Sequence, residues 1–281
     1  MSATSLEEVP LEVEEFRPHR KWFQRPDILV PLLLVVIGYA LLIGLVEEKS
    51  FFRARMEPAG GLVKFDAQFF FSLVPLMWQG LLVTLRATLI GFLIAIFLGF
   101  FFALGRRSRH KWLSWPTAFV VEFIRSTPLL VQLVFWQALS RAAGLDIGAV
   151  TVLAVGLGIH YATYTSEAYR AGINSVDAGQ WEAATALNLG PVATWTRVVI
   201  PQAVPNVLPA LGNNFVAAFK DAPMGVAVSV PGLLFFADQI KAETFRVVEP
   251  YMLIGIGFLL MSLPAAWAVR RLEKRISYER L

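Results

Sequence analysis

Long apolar runs alternate with short polar breaks along this chain, and most of its charge sits in the breaks. The run at 28–46 is almost wholly aliphatic, and at about 1.5 Å per residue it is long enough to cross about 30 Å of hydrocarbon. Further runs follow at about 76–104, 116–139, 148–171, 205–230 and 250–269. Bases cluster before the first run (Arg17, Arg20, Lys21, Arg25), after the second (Arg106, Arg107, Arg109, Lys111) and after the last (Arg270, Arg271, Lys274, Arg275). Lys and Arg concentrate in cytoplasmic loops, and six spans with both termini inside put every cluster there. The pattern therefore predicts an all-α integral membrane protein of six transmembrane helices. Its expected parts are a cytoplasmic tail (1–27), a first span (28–46), an external loop of mixed sign (47–71), a transmembrane domain (72–272) and a second cytoplasmic tail (273–281). The first run is too long for a signal-peptide core, and no small-x-small cleavage site precedes Glu47-Glu48-Lys49; it reads as a retained span.

One polar break, 177–201, reads DAGQWEAATALNLGPVATWTRVVIP and is too patterned for an idle loop. Asp177 and Gln180 are spaced for a capping box, which predicts a short helix with Trp181, Ala184 and Leu187 on one face. It should stop near Asn188-Leu189-Gly190-Pro191, because Asn and Gly tolerate left-handed backbone and Pro favours the first turn of a new helix. A second helix then carries Val192, Trp195, Val198 and Val199 on one stripe until Pro201 closes it. Two short amphipathic helices at a sharp corner form a docking element, and the loop charges put it on the cytoplasmic side.

Composition narrows the class. The 281 residues are 56% hydrophobic and 16% charged, more apolar material than one soluble core uses. The surplus of 25 Lys+Arg over 21 Asp+Glu suits cytoplasmic loops and gives no argument for nucleic acid. With no Cys, disulfides and thiolate metal sites are excluded.

Polar residues within the runs each need a reason. In 122–136, EFIRSTPLLVQLVFW, either Glu122 and Arg125 sit at the interface and pair locally, or a Thr127-Pro128 kink and Gln132 face a central pathway. Glu167 and Arg170 lie near the cytoplasmic end of their run, where anchoring or pairing competes with substrate contact. His160 has no second His or carboxylate at metal spacing and reads as a hydrogen-bonded interior residue. Lys220 and Asp221 fall deep in the fifth run before a Pro223 break; adjacent helical residues do not face each other, so each needs its own partner, as a pathway or gate element would provide. No GxxxxGK[ST], Ser/His/Asp order or HExxH is present, and Gly156-x-Gly158 and Gly255-x-Gly257 read as helix-packing positions. Uphill transport by this chain would draw energy from a partner or an ion gradient.

Four segments then carry a resemblance. Glu182-Ala183-Ala184 with Asn188-Leu189-Gly190-Pro191 and Val199-Ile200-Pro201-Gln202-Ala203 resembles the EAA loop of ABC importer permeases. FIRSTPLLVQ at 123–132, SEAYRAGI at 166–173, GQWEAA at 179–184 and Lys220-Asp221 resemble the polar amino acid uptake branch, and together they cover about 76–272. The resemblance implies a five-helix permease core that pairs with an identical or homologous permease. It implies two cytoplasmic ATPase subunits, which bind ATP and Mg and grip the corner, and an external solute-binding protein, all at the bacterial inner membrane. The coupling residues would be Gln180, Glu182, Ala183, Ala184, Asn188, Gly190 and Pro191. The pathway or gate would involve Gln132, Glu167, Lys220 and Asp221, with Pro128 and Pro223 as kinks. This chain has Asn188 where the family commonly has Gly. It has Asp221-Ala222-Pro223-Met224 where Asp-Thr-Ser-Leu is usual, which extends the expected substrate from an amino acid to a related zwitterion such as a compatible solute or an opine. The competing class is an ion-coupled transporter or channel with Lys220 and Asp221 as its coupling site; it leaves the amphipathic corner unexplained.

Overall fold

Asp66 starts the first described helix: its carboxylate accepts from Phe69 N at 3.0 Å, and α1 (Ala67–Arg107) then runs for 41 residues. The structure, a computed structural model, describes residues 65–278, with side chains as far as Glu273, and these belong to a single compact unit. The expected N-terminal tail, the first span, most of the external loop and the end of the C-terminal tail lie outside the described residues. Every described element is helical. Two helices, α1 and α9 (Val248–Tyr278), are long and apolar enough to cross a membrane, and the number rises to four if each of two bent helix pairs counts as one span.

The core is a parallel pair, α1 and α4 (Ala149–Asn174). Gly91 meets Ala154 and Leu157, and further along Gly99 meets Ala162 and Thr165, so the two helices advance in the same direction. The approach is close enough that a Cβ on Gly91 would fall 2.7 Å from Ala154 O, which only glycine avoids. Thr165 Oγ1 donates across the seam to Ala95 O at 2.8 Å. Gly156 and Gly158 are packing positions as expected, against Leu133 and Ile94, and Gly257 lies on Leu233; Gly255 faces open space.

The expected third span is not one helix. α2 (Lys111–Arg125) and α3 (Leu129–Ala142) meet at 108° across Ser126, Thr127 and Pro128. Pro128 begins α3 as its N-cap, so it separates two helices instead of kinking one: the residue before a proline is biased away from helical backbone. α3 alone runs along α4, in the opposite direction, with Gln132 beside His160 and Leu133 beside Gly156.

After the corner, α7 (Ile200–Asp221) returns antiparallel to α4: Val207 lies against Gly172, and Asp221 against Tyr161 at the midpoint of the 26-residue α4. There α7 stops. A tight 3₁₀ segment (Ala222–Val228), with Pro223 in its first turn, passes through the core, and Ser229 at φ 62 turns the chain into α8 (Leu233–Thr244). The expected fifth span is thus an interrupted helix, bent by 49°, that continues into α8. α8 rests on α1 where Leu233 N donates to Thr84 Oγ1 at 3.3 Å, and α9 closes the bundle with Val269 packed on Gly212.

Candidate functional site: the corner and the charged end of the bundle

Local sequence determines the corner twice over. Asp177 caps α5 (Ala178–Ala186) by accepting from Gly179 N at 2.7 Å. The reciprocal half of the expected capping box is replaced, because Gln180 Oε1 accepts instead from Gln202 Nε2 at 3.1 Å. At the far end Asn188 takes φ 55, with Leu189 N bonded to Ala184 O at 3.0 Å and Asn188 N to Thr185 O at 2.9 Å. That pair of bonds is a Schellman turn, which satisfies carbonyls the helix end leaves open. Gly190 is then N-cap and Pro191 first residue of a one-turn helix, α6 (Pro191–Ala193).

Pro201 does not close the second helix. A wide π turn (Thr194–Val199), in which Ile200 N bonds to Trp195 O, runs into α7, and Pro201 sits in the first turn of α7. A proline ring collides with the carbonyl four residues back in an α-helix and offers it no N–H; the wider turn relieves both problems.

The corner is fastened to the bundle by one arginine and two tryptophans. Trp181 and Trp195 meet edge to face at 5.5 Å between centroids. The Arg107 guanidinium lies 5.5 Å and 6.0 Å from the two rings, and its Nη1 donates to Asn174 Oδ1 at 2.7 Å. Beneath them Ile173, Val176, Val199 and Ala203 form a small apolar cluster. Glu182, Ala183, Asn188, Gly190 and Pro191 are exposed, whereas Ala184 is 2% exposed and packs inward. Leu187 and Val192, expected on the apolar stripes of the two helices, are 73% and 77% exposed on either side of the turn. Leu187 lies in the capping turn and Val192 in the first turn after it, where the periodicity of each helix no longer sets the facing.

At the same end of the bundle, Glu167 of α4 gathers arginines from three elements. Arg106 of α1 pairs with it most closely, Arg125 of α2 stands at 3.2 Å, and Arg170 of α4 at 3.3 Å. Arg125 also lies 5.4 Å from the Tyr164 ring, and Glu122 is exposed. Gln132 does not face an open pathway. Its Nε2 donates to Ile124 O (2.7 Å), Thr127 O (3.0 Å) and Thr127 Oγ1 (2.8 Å), and its Oε1 lies 3.3 Å from His160 Nδ1. It therefore braces the α2–α3 break, and His160 is a buried hydrogen-bonded residue.

Lys220 and Asp221 part company as adjacent helical residues must. Asp221 accepts from Tyr161 OH at 2.7 Å. Lys220 is exposed, has no ion-pair partner among the described residues, and lines a groove of about 400 Å³ between α7 and α9 with Asn213, Val216, Arg270 and Glu273. Sequence reasoning missed Tyr161 as the Asp221 partner, and it treated Arg107 only as loop charge. It also missed a cluster at the opposite end, where Glu249, 1% exposed, accepts from Arg246 at 2.6 Å and from Asp66 N at 3.0 Å. The polar stretch before Pro250 is the one signal that pointed there.

Residues 91–278 match the family described as the binding-protein-dependent transport system inner membrane component. The chain belongs to that family. It is a permease subunit of an ABC importer, a transport component, and the ion-coupled alternative is not favoured. A probable amino-acid ABC transporter permease of Sinorhizobium fredii is 42% identical over 205 residues, 73% of this chain and 89% of that protein. The octopine transport system permease of Rhizobium meliloti is 31% identical, over 75% of this chain and 94% of its own length. The arginine transport system permease of Bacillus subtilis is 28% identical, over 72% and 93%. Among solved structures, an amino acid ABC transporter crystallised with histidines has 34% identity and a TM-score of 0.71, covering 76% of this permease and all of that chain. The inward-facing MetNI methionine transporter, at 20% identity and a TM-score of 0.60, shares the fold.

Proposed function

We propose that this permease carries a polar amino acid or a related zwitterion, such as an opine, across the bacterial inner membrane, with both termini in the cytoplasm and six spans in all. The relatives named for arginine, octopine and amino acids support the substrate class. Two such permeases, identical or homologous, surround the pathway. Two ATPase subunits that bind ATP and Mg grip the corner from the cytoplasm, and a solute-binding protein delivers substrate from outside. The observation that carries this reading is the corner itself. It exposes Glu182, Ala183, Leu187 and Val192 around a turn fixed by Asn188, while Arg107 and the tryptophan pair tie it to α1 and α4. A partner that moves it moves those helices as rigid bodies, which suits alternating access.

In the complex reconstituted with its ATPase and binding protein, Glu182→Lys or Gly190→Trp is expected to reduce substrate-stimulated ATP hydrolysis to the unstimulated rate without preventing membrane insertion. Native stimulation in both variants would remove the corner from the coupling path. Transport assayed with a panel of amino acids, opines and compatible solutes then identifies the substrate.

A further inference from the structure

α2 has two opposite faces of unequal size. Ser114, Thr117, Ala118, Val121 and Ile124 turn toward the bundle, with Val121 fully buried and Thr117 beside Gly105 of α1. Trp112, Trp115, Phe119 and Phe123 recur at helical spacing on the other side and are 74%, 73%, 71% and 61% exposed. The inward face is small and the outward face aromatic, the reverse of a surface helix seeking a core.

The course of α2 explains the reversal. Thr117 lies at the level of Gly105, and eight residues later Arg125 reaches Glu167, which also pairs with Arg106. The start of that interval meets α1 and its end meets α4, so α2 passes from one helix to the other across this end of the bundle, and the 108° turn at Pro128 then sends α3 along α4. Arg109 and Lys111, exposed and without ion-pair partners among the described residues, flank the aromatic stripe; Glu122 is the one acid on the helix. Indole and phenyl rings bordered by bases suit the boundary between acyl chains and anionic headgroups. A second copy of this chain would bring the same bases against their like, which is repulsive.

We propose that α2 lies in the plane of the cytoplasmic leaflet and holds this end of the permease against anionic lipid. The proposal rests on the membrane orientation above, but its test does not depend on the substrate or on ATP coupling. The full chain contains no Cys, so Trp112→Cys, Trp115→Cys, Phe119→Cys and Phe123→Cys can each be spin-labelled without background, with the ATPase-bound complex in nanodiscs of phosphatidylcholine alone or mixed with phosphatidylglycerol. A helix in the leaflet plane places all four labels at one shallow depth. A helix along the membrane normal would spread them over about 16 Å, at about 1.5 Å per residue, and would overturn the proposal. So would spin–spin broadening between two copies, or loss of contact with lipid-soluble oxygen, because either makes protein the occupant. Phosphatidylglycerol is expected to draw the labels deeper, and Arg109→Gln with Lys111→Gln to abolish that response; equal depths in both lipids for the unsubstituted helix would refute the anionic preference.

Discussion

Gln132 shows how one amide can hold a chain reversal together. It supplies donors to a backbone carbonyl at the end of α2 and to the carbonyl and hydroxyl of Thr127 in the linker, and it meets His160 on the facing helix, so an apolar replacement strands several polar groups at once. Gln132→Leu is expected to cost on the order of 1–3 kcal/mol, read as a lower unfolding midpoint of the detergent-solubilised complex. An unchanged midpoint would mean that the break is held by its backbone alone. Asn188 makes a second case. Left-handed backbone costs a β-carbon residue about 1–2 kcal/mol, less for Asn and least for Gly. Asn188→Gly should therefore leave the corner intact, whereas Asn188→Val should loosen it and raise the rate of proteolytic cleavage between α5 and α6. The need for left-handed backbone at this position was legible from residue type, because few residues accept it.

At the scale of elements, the corner and the α2–α3 break contrast. The two corner helices, the Asn188 turn and Pro191 at a helix start all followed from capping chemistry, which is local. What escaped sequence reasoning was which apolar residues would be covered: Leu187 and Val192 lie where each helix ends or begins, and tertiary packing decides their exposure. The size of the break escaped for a different reason. Residues 116–139 read as one run despite their scattered polar residues, because hydropathy is blind to a change of direction; Thr127-Pro128 marks a kink but not a turn of 108°. The Arg107 clamp involves α1, the end of α4 and both corner helices, contacts far apart in sequence that no periodicity encodes. Arg107→Ala is expected to uncouple the corner by removing a hydrogen bond of about 1 kcal/mol and cation–π contacts of about 0.5–1 kcal/mol. The measurement is the ratio of substrate-stimulated to basal ATP hydrolysis. Arg107→Lys should restore little of it, since an ammonium cannot cover two rings and bond Asn174 as a planar guanidinium does.

At the scale of the whole molecule, the segment that begins with α7 is interrupted inside the bundle. α7 ends at half-height of α4, where Asp221 is held by Tyr161 and Lys220 is turned toward the groove against α9. Interrupted helices of this kind expose backbone and charge only where they line a cavity. Lys220→Ala is expected to reduce uptake to background in proteoliposomes while the complex still assembles and hydrolyses ATP; native uptake would leave Lys220 a surface cation with no part in the pathway.

The π turn between the corner and α7 sets the phase between these two regions. It takes up one residue more than an α-helix needs, within the turn itself. Were the same residues wound as plain α-helix, everything beyond them would turn by about 100° relative to the corner. The side of α7 that presents Lys220 is thus timed, like a cam on its shaft, by a single surplus residue some two dozen positions away.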